Sequence, residues 1–223
     1  MPRHFELELD QLRTMLIRMG SLVEEQIDCA VRAMAESDVA LARLVIERDK
    51  KVDEFDNAID QHCMRVFALT QPVAIDLRLL MAALKINNEL ERIGDIAVNL
   101  AERVEPLLPY AGFVKKTPLR EMATAAREMV KDSIDSFVNN DPELAKKILI
   151  SDDAIDSFDR ETFNLMIKKM KESPENVEPA AHMMILSRHI ERLADHATNI
   201  AEDVIFLVNA KIIKHHAYAS DSP

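Results

Sequence analysis

Tryptophan is absent from this chain, only three of its 223 residues are glycine, and aromatics make up 4%. Scarcity of glycine and of β-favouring aromatics argues against a β-rich fold, whose turns need the first and whose strands favour the second. The two cysteines, Cys29 and Cys63, have no CxxC spacing and sit in apolar helical patterns. They read as buried, reduced thiols rather than a disulfide frame or a thiolate metal site. No stretch approaches about 18 uncharged apolar residues, so no membrane-spanning helix is expected. The leading residues carry no apolar signal-peptide core, and a cytoplasmic protein is expected. Lys/Arg-rich runs are also missing, and the net charge is −11. Nucleic-acid binding is therefore disfavoured, because phosphate neutralisation supplies most of that affinity. There is no Gly-rich phosphate loop and no G-x-S-x-G. Glu-x-x-His at the spacing of a ferritin-like di-iron site is missing too, which disfavours oxidase chemistry.

What remains is rich in helix formers, with 48% hydrophobic residues to build a core. An all-α fold is expected. Apolar residues at Leu12, Leu16, Met19, Val23, Ile27, Ala30 and Met34 recur every three or four positions, predicting a first helix over 5–36. Ser37-Asp38 stops it and caps a second helix over 39–69, which Thr70-Gln71-Pro72 ends. A third helix is expected over 74–107. Pro106, Pro109, Gly112 and Pro118 then break the chain, marking 108–118 as a linker. The same order follows again: helices over 119–138, from Pro142 to about 171, and over 178–208, with a frayed tail at 215–223.

The repetition extends to the residues. Leu90-Glu91-Arg92-Ile93-Gly94-Asp95 and its continuation to Val104 return as Ile190-Glu191-Arg192-Leu193-Ala194-Asp195 and on to Val204, shifted by 100 (191 − 91). Eight of the fifteen aligned pairs are identical. Asp49, Val52, Asp53, Phe55 and Asp56 return as Asp152, Ile155, Asp156, Phe158 and Asp159, shifted by 103 (152 − 49). The first and fourth helices align weakly at that same shift, as in Glu25/Glu128 and Val31/Ile134. Two tandem three-helix bundles follow, over 4–107 and 119–214.

Each copy places acidic pairs four apart on two helices: Asp49 with Asp53 and Glu91 with Asp95, then Asp152 with Asp156 and Glu191 with Asp195. At about 100° per residue each pair shares one helix face, opposite the apolar positions. On that wheel Asn99 and Glu102, with their counterparts Asn199 and Glu202, extend the same stripe. Two readings stay open. Such stripes are ordinarily solvated surface, and a metal-free interaction or dimerisation module would carry them. Against this, like charges at that spacing repel, and Asp is a poor helix-interior residue kept in both copies. A hard cation (Mg²⁺, Mn²⁺, Ca²⁺ or iron) would reconcile these facts. His182, His189 and His196, seven apart, fall on the flank of the core and read as a packed or half-buried row rather than ligands. A carboxylate-metal hydrolase is the weakest reading, since no general base or oxyanion donor can be named.

Ala83-Leu84-Lys85-Ile86, the paired motifs at Leu90–Asp95 and Ile190–Asp195, and the N-terminal Phe5-x-x-Glu8-Leu9-x-x-Leu12 and Met19-Gly20-x-Leu22-Val23-Glu24 resemble the PhoU family. The resemblance spans about residues 4–210. It implies two three-helix bundles whose E(D)-x-x-x-D motifs hold multinuclear metal clusters in some members. Carried over, the ligands are Asp49, Asp53, Glu91, Asp95, Asp152, Asp156, Glu191 and Asp195, for iron, zinc, manganese or magnesium. It further implies a non-enzymatic homodimer that negatively regulates the phosphate-starvation response. The expected partners are the ATPase subunit of the phosphate ABC transporter and a phosphate-sensing histidine kinase. Two departures stand out. Ala194 replaces Gly94, and Phe163 stands where Asp60 would have a partner, so a weaker or smaller second site is expected.

Overall fold

A computed structural model describes residues 2–114 and 117–210. It contains helices α1 (Pro2–Glu36), α2 (Val39–Arg48), α3 (Lys50–Thr70), α4 (Ala74–Glu102), α5 (Val104–Leu107), α6 (Ala111–Val114), α7 (Leu119–Asn139), α8 (Pro142–Glu172) and α9 (Val177–Asn209). Short 3₁₀ turns lie at Leu108–Tyr110 and Pro174–Asn176, and no strand occurs among the described residues. Lys115 and Lys116, within the expected linker, and the expected tail at 215–223 lie outside the described residues.

The duplicated caps perform alike. Asp38 accepts from the backbone N–H of Leu41 at 3.0 Å, and Asp141 from those of Glu143 and Leu144, each at 3.0 Å. Either cap satisfies N–H groups that a helix start leaves bare. With glycine scarce, the left-handed residues closing helices are Ser37, Gln71, Asn140 and Ala210, at φ 59, 47, 49 and 54.

Two expected helices are divided. The one over 39–69 is interrupted at Asp49, where the Val52 N–H reaches the Asp49 carbonyl at 2.7 Å and the Asp53 N–H reaches it at 3.2 Å. That is a local 3₁₀ tightening. The helix expected over 74–107 stops at Glu102. Pro106 has no N–H and its ring crowds the carbonyl four residues back, which belongs to Glu102.

Helices α1, α4, α9 and α7 form a ring in which each packs on the next. The α2–α3 pair lies against α1 and α4 on one flank, and α8 lies against α7 and α9 on the other. Buried residues of all these helices, from Leu16 and Ile27 through Ile93 to Met122 and Leu193, form one continuous core. Gly20 sits where α1 crosses α7: a Cβ there would stand 3.0 Å from Ile134 Cγ2, so the close crossing depends on glycine. No described helix is long and apolar enough to cross a membrane.

Candidate functional site

On each flank an outer helix lays its acidic face beside that of its neighbour in the ring. In the first copy Asp49 stands at the α2–α3 junction, Asp53, Asp56 and Asp60 on α3, and Glu91 and Asp95 on α4. Burial pushes the Asp49 carboxyl up, the charges of Asp53 and Asp95 push the same way, and a hydrogen bond from Gln26 opposes them. Burial raises Glu91 too, with help from Asp95 and Asp56. Asp56 is raised by burial and by Asp60, against a hydrogen bond from Asn87. Carboxylates from two helices thus share one field and repel.

Asn87 ties the two helices together. This α4 side chain is 1% exposed, and its Nδ2–H₂ group donates to Asp56 Oδ1 at 2.7 Å and to Asp60 Oδ1 at 3.2 Å. In the second copy the equivalent is Ser187 (87 + 100), whose hydroxyl donates to Asp159 Oδ1 at 2.6 Å. Asp159 is the counterpart of Asp56 (56 + 103).

The second patch joins Asp156 and Asp159 of α8 to Glu191 and Asp195 of α9. Glu191 is 8% exposed, and burial, reinforced by Asp195, pushes its carboxyl up to about 7. Arg188, one turn back, donates to Glu191 Oε1 and works in the opposite direction. Asp195 is raised by burial despite Arg188 and His196, with Asp156 adding to the rise. Asp152 lies half-buried on α8, one turn before Asp156.

The fit to a cation is one of donor chemistry. Among the described residues, no group of three or more His, Cys, Asp or Glu side chains is so placed as to hold a metal ion as the side chains stand. Nevertheless three oxygen atoms of nearly fully buried side chains in these patches, Gln26 Oε1, Asn87 Oδ1 and Glu191 Oε2, have no hydrogen-bond partner. Hard oxygen donors, mutually repelling carboxylates and bare carbonyl oxygens are what a hard cation satisfies.

Sequence reasoning missed Gln26, Asn87, Ser187 and Arg188. The repeat did carry a signal for two of them, since Asn87 and Ser187 keep a polar group at a position facing the neighbouring helix. Asn199 corrects the expected stripe: its Nδ2–H donates to Glu89 at 3.1 Å across the α4–α9 seam, not to the acidic patch. His196 also meets Glu89 there, Nδ1 to Oε2 at 2.6 Å, and Lys85 meets Asp203 at 2.6 Å. Burial alone would raise Glu89, but hydrogen bonds from His196 and Asn199 outweigh it and hold the carboxyl below its usual value.

A family model described as the PhoU domain matches residues 16–104 and again 119–204. The chain belongs to the PhoU family. A protein of Pseudomonas putida named as a phosphate-specific transport system accessory protein PhoU homolog is 35% identical, the alignment covering 96% of this chain and 84% of that one. One of the same name from Aquifex aeolicus is 39% identical over 93% of this chain and 94% of its own. Among solved structures, PhoU from Pseudomonas aeruginosa superposes with a TM-score of 0.87 at 33% identity, covering 93% of this chain and all of that one. The phosphate transport system regulatory protein PhoU from Streptococcus pneumoniae gives 0.84 at 27% identity over 95% of this chain. The two matched segments are the two copies seen in the sequence, and the names are those of accessory and regulatory proteins, not of enzymes.

Proposed function

We propose that this protein is a cytoplasmic accessory protein of phosphate transport, a metal-binding adaptor that keeps the phosphate-starvation response off when phosphate is plentiful. Family membership supports the phosphate connection. The observation that carries the metal role is the duplicated carboxylate patch with unpartnered buried oxygens at its edge. Asp49, Asp53, Glu91 and Asp95 would hold ions on the first flank, and Asp152, Asp156, Glu191 and Asp195 on the second. A bound divalent or trivalent cation, iron, zinc, manganese or magnesium, supplies charge neutralisation that cross-links two helices. The chain's own residues do the rest: Asn87 and Ser187 fix the outer helix against the ring, and the acidic faces form the docking surface. The partners are the transporter's ATPase subunit and a phosphate-sensing histidine kinase, met by a homodimer.

Elemental analysis after gentle purification tests the metal role, and at least one ion per chain is expected. Saturation about 100-fold above Kd stabilises by about 2.7 kcal/mol, roughly 5–10 °C in Tm for a chain of this size. Metal-free protein with no cation-dependent rise in Tm refutes it. For the regulatory role, deletion in the host should switch on the starvation programme under abundant phosphate, and a programme that stays silent refutes it. A metal-free interaction module is the second reading. It is favoured at the second patch, where Arg188 already pairs with Glu191.

A further inference from the structure

Gln26 lies on α1, outside every carboxylate motif, and is 2% exposed. Its Nε2–H donates to Asp49 Oδ1 at 3.4 Å, while its Oε1 is buried without a partner. A bare buried oxygen costs the protein the desolvation of that group. Turning the amide over cures nothing: the oxygen would then face the Asp49 carboxylate and an N–H would be stranded in its place. A Cβ added to Gly94 would stand 3.5 Å from both Gln26 Oε1 and Asp49 Oδ1. The bare oxygen and the carboxylate oxygen therefore flank the same narrow space beside Gly94, the residue before Asp95. Hard cations take amide carbonyl oxygens together with carboxylates. A neutral donor adds a ligand there without adding to the repulsion among Asp49, Asp53 and Asp95.

We propose that Gln26 belongs to the cation site of the first patch, its Nε2 holding Asp49 in place and its Oε1 serving as a neutral donor to the ion. This rests on the metal-binding reading above. It makes the first site a three-helix construction, from α1, the α2–α3 junction and α4. The equivalent position in the second copy (26 + 103) is Met129, 4% exposed. A thioether is a poor donor to a hard cation, so the second patch binds such ions more weakly.

The test is titration of the intact chain with Mn²⁺, and anaerobically with Fe²⁺, read by calorimetry and, for Mn²⁺, by electron paramagnetic resonance. The variants are Gln26→Met, Gln26→Glu and Asp95→Ala, with helix content followed by circular dichroism. Gln26→Met is close in shape and weakens the tightest Mn²⁺ class about tenfold or more, with an altered resonance spectrum. Gln26→Glu gives up the Nε2 bond to Asp49 and adds a charge, but it keeps an oxygen at the position and so binds Mn²⁺ more tightly than Gln26→Met does. Asp95→Ala loses the same class. Wild-type binding by Gln26→Met, alongside loss in Asp95→Ala, removes Gln26 from the site and leaves the metal reading intact. If Gln26→Met does not fold, a folded Gln26→Leu takes its place, and wild-type binding by that variant overturns the proposal. A wild-type chain that takes up neither ion overturns both.

Discussion

Position 26 of the first copy is a buried glutamine against Asp49, and its counterpart in the second is Met129. Position 88 is an exposed Asn, and its counterpart is Arg188, which pairs with Glu191. Asp60 accepts a hydrogen bond from Asn87, whereas Phe163 stands half-exposed at its counterpart. The carboxylates themselves, Asp49, Asp53, Glu91 and Asp95 against Asp152, Asp156, Glu191 and Asp195, are kept in both copies. Duplication has preserved the charge pattern and let its surroundings drift. The first patch keeps neutral oxygens at its edge, and the second balances its acids with an internal cation.

Paired substitutions sharpen this comparison. The largest effect falls on the core both copies share. Leu90→Ala and Ile190→Ala, at equivalent buried sites 2% and 0% exposed, should each cost about 2–5 kcal/mol. Calorimetry should still show one transition, because the core is continuous. Two separated transitions would show that the copies unfold independently.

Next comes the seam between the copies. Glu89→Ala strands His196 and Asn199 and should cost about 1–3 kcal/mol in chemical denaturation. The corresponding change on the other side of the seam, His189→Ala, removes an imidazole whose Nδ1 has no hydrogen-bond partner and should cost less. Equal losses would mean that the polar pairing is not what distinguishes the two sides.

A smaller effect concerns Glu191, whose carboxyl is raised to about 7. The folded state therefore holds this proton more tightly than the unfolded chain. Its contribution to stability is fully present below the ordinary carboxylate range and is lost as pH rises toward and through 7. In chelator, Glu191→Gln should raise Tm at pH 8 by roughly 2–4 °C and flatten the fall between pH 5 and 8. Glu91→Gln should do less, since that carboxyl is more exposed. A steeper pH dependence in Glu191→Gln would contradict the assignment.

The smallest effects concern the one small-residue exchange. Ala194→Gly should cost about 0.5–1 kcal/mol, the usual penalty of glycine inside a helix. Gly94→Ala gains that propensity but presses a Cβ to 3.3 Å from Val52 Cγ1, so its net change should be near zero. A loss as large as that of Ala194→Gly would show that Val52 cannot yield.

Much of the fold was legible because its determinants are local. Apolar spacing gave the long helices, Asp38 announced its capping role, and Pro72 ended a helix. The divisions at Asp49 and Glu102 were less so, since the first depends on a local 3₁₀ tightening and the second on the reach of Pro106 to a carbonyl four residues back. The paired carboxylates were legible because a helix turns four-residue spacing into adjacency. Gln26 was not, because α1 meets Asp49 only after folding, and one glutamine in an amphipathic helix has no pattern to betray it. Glu89, His196 and Asn199 were hidden for the same reason: their partners lie more than 100 residues away.

Because α1 meets α7 and α4 meets α9 around one core, each half of the chain serves the other as a dimer partner. Two separate polypeptides arranged this way would assemble by mass action and come apart on dilution. Joined by a short connector, the halves face each other at millimolar effective concentration whatever the abundance of the protein. The tether makes the integrity of the fold independent of expression level.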